Sequence, residues 1–205
     1  MTSVNVAILG ATGVVGREML KVLEQRDVPV GRLTLLASPR SAGTTLTFRG
    51  IEHRVEAVTE EAFDGVDIAL FSAGAGTSRE WAPKAAARGA VVIDNFSAWR
   101  MDDAVPLVVP EVNPEAAKDR PRGIIANPNC STIQMVVALA PLHRAKRVRR
   151  VIVSTYQAIS GSGLEAVKAF EAQAKALLEG ATPDEGPLSG QLAGNLLMHW
   201  KRDEA

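Results

Sequence analysis

The sequence predicts an α/β protein built on a mostly parallel, doubly wound sheet. Two observations carry this. Short apolar runs recur at 4–9, 33–37, 67–73, 90–94 and 123–127, with helical patterns interleaved among them. The first run ends in GATGVVG, and a helical pattern follows at once. Such a strand–glycine loop–helix order turns backbone amides toward one point and suits an anion.

Each element has its own local reason. VNVAIL at 4–9 is a continuous apolar run bounded by glycine, as in a strand buried on both faces. Val15, Met19, Leu20, Val22 and Leu23 recur at helical spacing over 14–24. LTLLA at 33–37 reads as the second strand. TLTF, the turn Arg49–Gly50 and IEHRVEAV read as a small hairpin over about 45–58. DIALFSA at 67–73 is another apolar strand. WAPKAAARG reads as a helix stopped by Gly89, and AVVID at 90–94 as the next strand. GIIAN at 123–127 is a strand, 131–143 a helix, RVIVSTYQ at 150–157 a strand, and 163–178 a long Ala-rich helix. Residues 180–190 are loop-like. The amphipathic stretch QLAGNLLMHW and the charged end KRDEA follow.

Bulk composition narrows the function classes. Hydrophobic residues make up 46% and charged residues 22% of the 205, an ordinary globular balance. The formal net charge of zero gives no field for nucleic acid or an anionic membrane. The basic run HRAKRVRR at 143–150 reads as a solvated helix end and loop. A single cysteine excludes a disulfide framework and fits a reducing compartment. No apolar run is long enough to span a bilayer, the start carries no basic n-region, and no metal-ligand set is picked out. The expectation is a cytoplasmic protein.

The loop residues Gly10, Gly13 and Gly16 are spaced GxxGxxG. Glycine is common in any strand-to-helix turn. This loop lies between a first strand and a first helix, which favours a dinucleotide pyrophosphate and a Rossmann-like domain. An NAD site usually ends the second strand in an acid. Here ASPRSAG at 37–43 offers Ser38, Arg40 and Ser41 instead. A guanidinium with hydroxyls suits a 2′-phosphate, so NADP is the expected cofactor. The alternative is that Arg40 is an ordinary surface arginine.

Cys130 lies in NPNCST, between polar neighbours and at the start of a predicted helix. The partial positive charge of a helix N-terminus favours a thiolate. The preceding strand brings the cysteine to the carboxyl edge of the sheet, where ligands bind. A thiolate beside a nicotinamide can add to an aldehyde, pass hydride from the hemithioacetal to the cofactor and retain the acyl group as a thioester. The alternative is an inert cysteine that fills space.

GATGVVG, ASPRSAG, LFSAG, DNFSAWR, VPLVVPEVN, IIANPNCST and YQAISGSG follow one another over residues 4–180. Together they resemble the aspartate-β-semialdehyde dehydrogenases. The resemblance implies reversible, NADP-dependent reductive dephosphorylation of aspartyl phosphate to aspartate semialdehyde, on the way to lysine, methionine, threonine and isoleucine. It implies a cytoplasmic homodimer acting on small molecules and phosphate. Cys130 takes the role of nucleophile, Asn129 shapes the site, Gln157 orients substrate and Arg100 binds phosphate. Gly10, Thr12, Gly13, Val14, Val15, Arg40, Ser41, Ser72, Gly74, Ser160 and Gly161 match the cofactor contacts. Taken singly, Gln157 could cap a strand end, Arg100 could be an exposed loop residue beside Trp99, and Ser160, Gly161 and Gly163 could form only a turn and helix cap.

The resemblance also sets the expected domains: a cofactor domain over 1–129 and an incomplete α+β catalytic and dimerisation domain over 130–205, divergent from about 181. Members of the family are longer. Their base histidine, carboxylate-binding arginine and phosphate-binding lysine have no counterpart here, so the chain is expected to be truncated, with apolar surface exposed near 150–178. Of its three histidines, His53 is expected to face solvent. His143 is more than nine helical rises of about 1.5 Å from Cys130, and His199 lies in the tail. Two other functions stay open: an NADP(H)-binding module with little turnover, and a related acyl-phosphate reductase such as N-acetyl-glutamyl-phosphate reductase.

Overall fold

In a computed structural model, described for residues 3–186 and 190–197, the chain forms two compact units, 1–153 and 154–205. The first unit holds β1 (Val4–Leu9), α1 (Val14–Gln25), β2 (Val30–Ala37), β3 (Thr45–Phe48), β4 (Ile51–Ala57), β5 (Ile68–Phe71), α2 (Ala75–Ala87), β6 (Val91–Asp94), β7 (Ile124–Ala126) and α3 (Cys130–Ala145). Its described residues form one sheet of order β3-β4-β2-β1-β5-β6-β7. Every pairing is parallel except β3 with β4. Chain order reverses at β1, which pairs with β2 on one side and β5 on the other. A doubly wound sheet opens its ligand crevice at such a reversal.

Alternation along β1 builds both faces of the core. Ala7 and Leu9 point into a cluster with Phe63, Phe71, Trp99 and Ile124. Val6 and Ile8 point into the opposite cluster with Leu35, Val55 and Leu20 of α1. Trp81, Ala82 and Ala85 of α2 cover the first face, so the sheet has a helix on each side. The hairpin turn has Arg49 at φ 51° and Gly50 at φ 74°. Two positive values match the strong twist of a two-residue hairpin.

Three elements depart from the sequence reading. β2 begins at Val30, ahead of its apolar run. α2 begins at Ala75, six residues ahead of the WAPKAAARG pattern, because Gly74 at φ 95° turns the chain into the helix. Residues 150–157 form no strand; Ile152 is 87% and Tyr156 86% exposed. A strand exists only as part of a ladder, and among the described residues the sheet takes no strand from this segment. His53 is half-buried and meets the Phe48 ring edge-on, with centroids 6.1 Å apart, rather than facing solvent.

The second unit contains a 3₁₀ turn (Ile159–Ser162) and α4 (Leu164–Leu178). Gln173 of α4 is buried, at 3% exposed. Its Nε2 donates to Asp184 O at 2.7 Å, and its Oε1 accepts from Leu192 N at 2.7 Å and Ala193 N at 3.2 Å. Gln173 therefore ties α4 to Asp184 and to Leu192–Ala193. His199 and the rest of MHWKRDEA lie outside the described residues.

Candidate active site

Five loops leave the carboxyl edge of the sheet, those after β1, β2, β5, β6 and β7. The glycine loop leaves β1 through Gly10, at φ 89°. A Cβ there would lie 2.3 Å from Ser72 O, and one at Gly16 would lie 2.2 Å from Gly10 O. Only glycine lets the loop touch both the strand end of β5 and the start of α1. The amides of Gly10 and Ala11 bond Leu36 O at 2.8 and 3.1 Å, and Gly13 N bonds Gly10 O at 3.1 Å. Val14, Val15 and Gly16 open α1, where no intrahelical carbonyl lies upstream to accept their N–H groups. This is the geometry a pyrophosphate needs, so the loop fits a dinucleotide.

Beside it, β2 ends at Ala37 and the chain makes a 3₁₀ turn over Pro39–Ser41. Arg40 is exposed on that turn and Ser41 half-buried. Ser72 and Gly74 follow β5, with Ser72 N bonded to Leu9 O at 2.8 Å. Gly10, Thr12, Gly13, Val14, Val15, Ser72 and Gly74 thus surround the point where β1 and β5 end, and the backbone contact of Gly10 with Ser72 joins the two loops.

Cys130 is the first residue of α3 and is exposed. The residue before it fixes the start of the helix. Asn129 Oδ1 accepts from Ser131 N at 3.0 Å, Ser131 Oγ at 2.9 Å and Thr132 N at 3.4 Å, a side-chain N-cap. β7 ends at Ala126, so only Asn127, Pro128 and Asn129 separate the sheet edge from the thiol.

Arg100 is half-buried, which removes the reading of it as an exposed loop residue. Its Nε donates to Asn127 O at 2.9 Å and its Nη2 to Asn95 O at 3.1 Å. Asn127 Nδ2 donates to Asn95 Oδ1 at 2.6 Å, and Asn127 N to Asp94 O at 2.8 Å. One guanidinium therefore clamps the ends of β6 and β7, three residues before the thiol. Its remaining N–H groups form a fork suited to an oxyanion.

The sequence reading passed over Asp94, Asn95 and Ser78. Asp94 ends the apolar run AVVID, and an acid in that place is the one signal that pointed to it. It is 0% exposed. Burial pushes its carboxyl above the ordinary value of 3.8, against hydrogen bonds from Phe96 N–H and the Ser78 hydroxyl and the charge of Arg100. Gln157, Ser160 and Gly161 belong to the second unit: Gln157 is exposed just before its 3₁₀ turn, and Ser160 and Gly161 lie in that turn. Among the described residues no group of acids, histidines or cysteine is arranged to hold a metal, and no helix is long and apolar enough to cross a membrane.

Residues 5–120 match the family model described as semialdehyde dehydrogenase, NAD binding domain, and residues 139–205 match its dimerisation domain. The chain is 59% identical to aspartate-semialdehyde dehydrogenase of Aquifex aeolicus, over 95% of this chain and 58% of that one. It is 56% identical to the enzyme of Bacillus subtilis, over 91% of this chain and 54% of that one. Among solved structures it is similar to Vibrio cholerae aspartate semialdehyde dehydrogenase II complexed with ASA, with a TM-score of 0.92 and 52% identity, over 95% of this chain and 58% of that one. The chain thus spans a little over half the length of the relatives it matches.

Proposed function

Because the chain belongs to the aspartate-semialdehyde dehydrogenase family, we propose that it carries out the reversible, NADP-dependent conversion of aspartyl phosphate to aspartate semialdehyde and phosphate, through a thioester on Cys130. The observation that carries this is the thiol at the first residue of α3, three residues beyond a carbonyl held by Arg100.

In the reductive direction the Cys130 thiolate attacks the acyl carbon. The C–O bond to phosphate breaks, and phosphate leaves with the electron pair toward the Arg100 fork. The nicotinamide, when bound, supplies the hydride that reduces the thioester. Collapse of the resulting hemithioacetal frees the aldehyde and restores the thiolate. Asn129 holds the attacking residue in place through the helix cap, Gln157 orients the substrate, and Arg100 grips phosphate. The amides that open α1, with Thr12, Gly13, Ser72 and Gly74, hold the dinucleotide. Arg40 and Ser41 select the 2′-phosphate, and Ser160 and Gly161 line the nicotinamide end. The chain acts in the cytoplasm as a homodimer, in keeping with its match to a dimerisation domain. The cofactor domain runs over 1–129 and the catalytic and dimerisation part over 130–205.

The test is NADPH formation by the purified chain given aspartate semialdehyde, NADP⁺ and phosphate, beside Cys130→Ala. Turnover that needs phosphate and Cys130 supports the reading. Bound NADPH without turnover makes the chain a cofactor-binding module. Turnover only with N-acetyl-glutamate semialdehyde moves it to the related reductases.

A further inference from the structure

An indole N–H can only donate, and a hydroxyl that accepts it must still place its own proton. Trp99 Nε1 donates to Ser78 Oγ at 2.9 Å, with Trp99 7% and Ser78 1% exposed. The Ser78 hydroxyl also lies near enough to the Asp94 carboxyl to oppose the rise that burial imposes on it. Asp94 Oδ1 also accepts from Phe96 N at 3.2 Å, while its Oδ2 is buried without a hydrogen-bond partner. This polar chain ties together α2, the end of β6 and the 3₁₀ turn Ser97–Trp99.

A buried polar chain with an orphaned carboxylate oxygen is a costly way to fill space, since apolar side chains would pack there without that cost. What it adds is direction. Trp99 is held at its ring by Ser78 and at its carbonyl by Asp102 N at 3.2 Å, and the next residue is Arg100. Arg100 spends two N–H groups on Asn127 O and Asn95 O. Its remaining donors meet an oxyanion as a fork only while the guanidinium plane is fixed.

We propose that the Trp99–Ser78–Asp94 chain is a positioning device for Arg100, and through Asn127 for the turn that carries Cys130, and that it sets how tightly a phosphate-class oxyanion is held beside the thiol. Ser78 and Asp94 touch no substrate and act through Arg100. This rests on the reading of Arg100 and Cys130 as one anion site.

Cys130 is the only cysteine in the 205 residues, so its alkylation by iodoacetamide is a single-site signal. The measurement is the inorganic phosphate concentration that half-protects the thiol in the full chain. Ser78→Thr and Ser78→Val both enlarge a fully buried side chain and differ in the hydroxyl; Ser78→Val also leaves the buried Trp99 N–H without its acceptor, so its thermal midpoint is expected to fall further. Ser78→Val is expected to need about tenfold more phosphate, and Ser78→Thr to stay within about threefold of the parent. Trp99→Phe, which keeps a ring and loses the donor, is expected to follow Ser78→Val. Equal phosphate requirements for Thr and Val at position 78, or a parent-like Trp99→Phe, would overturn the positioning role. A parent chain that phosphate does not protect, or an Arg100→Ala chain that it still protects, would overturn the anion-site reading and this inference with it.

Discussion

Arg40 is where the proposed preference for NADP can be tested. It stands exposed on the turn after β2, where a carboxylate would mark NAD. Arg40→Ala is expected to raise the Kd for NADP⁺ by about tenfold, the worth of a charge-assisted hydrogen bond, and to leave NAD⁺ binding as it is. Fluorescence titration with both cofactors checks this, and an equal loss for both would make Arg40 an ordinary surface residue. Asp94 gives a pH signature. Burial raises its native value above 3.8, so the fold favours the protonated carboxyl. That contribution is full below 3.8 and is lost as pH rises through the raised native value. Asp94→Asn has no proton to lose there. Denaturant midpoints of the parent, taken relative to Asp94→Asn, should fall as pH rises toward neutrality. The opposite slope would mean that Arg100 stabilises the charge by more than burial opposes it.

At the scale of elements, the glycine loop makes a sharp contrast. Gly10→Ala and Gly16→Ala each drive a Cβ to within 2.3 Å of a backbone oxygen. Each should cost about 1–3 kcal/mol or more in thermal or urea unfolding. Gly76→Ala in α2 meets nothing within 4 Å and should gain about 0.5–1 kcal/mol. A tolerated Gly10→Ala would show that β1 and β5 do not need that backbone contact. Much of this was legible in the sequence, because β1, α1, β5, β6, β7 and α3 carry their own apolar period and boundary residues. The glycine loop and Cys130 were legible for the same reason: each is a local pattern on one strand-to-helix turn. The 150–157 strand was misread because its β-type sequence is local while a ladder partner is not. The Trp99–Ser78–Asp94 chain was invisible because its members are 5 to 21 positions apart and meet only through the packing of α2 on the sheet edge. Arg100 was named by its motif. Its bonds to Asn95 and Asn127 are tertiary and had no period to announce them.

Across the whole molecule, apolar surface is distributed unevenly. Val151, Ile152, Val153 and Tyr156 are exposed in one short segment, as are Leu164, Phe170, Leu177 and Leu178 on α4. Contiguous exposed apolar residues of β type invite self-association. Ile152→Lys should lower the light scattering of concentrated samples while changing stability by no more than about 0.5 kcal/mol. A large fall in the thermal midpoint would instead mean that Ile152 is packed in solution. The sheet itself is better guarded: β3 closes one edge antiparallel, and at the other the bridge between Leu107 and Ala126 flanks the three-residue β7.

Gln173 carries a last consequence, for what the gene can tolerate. It donates from one end of its amide and accepts twice at the other, at a depth where none of the three bonds is replaced by water. Glutamate keeps the acceptor and loses the donor. Lysine and arginine keep only donors, and asparagine is a methylene too short. Among the twenty amino acids only glutamine combines that reach with a donor and a twofold acceptor, so position 173 should tolerate substitution far less well than the exposed positions of α4 around it.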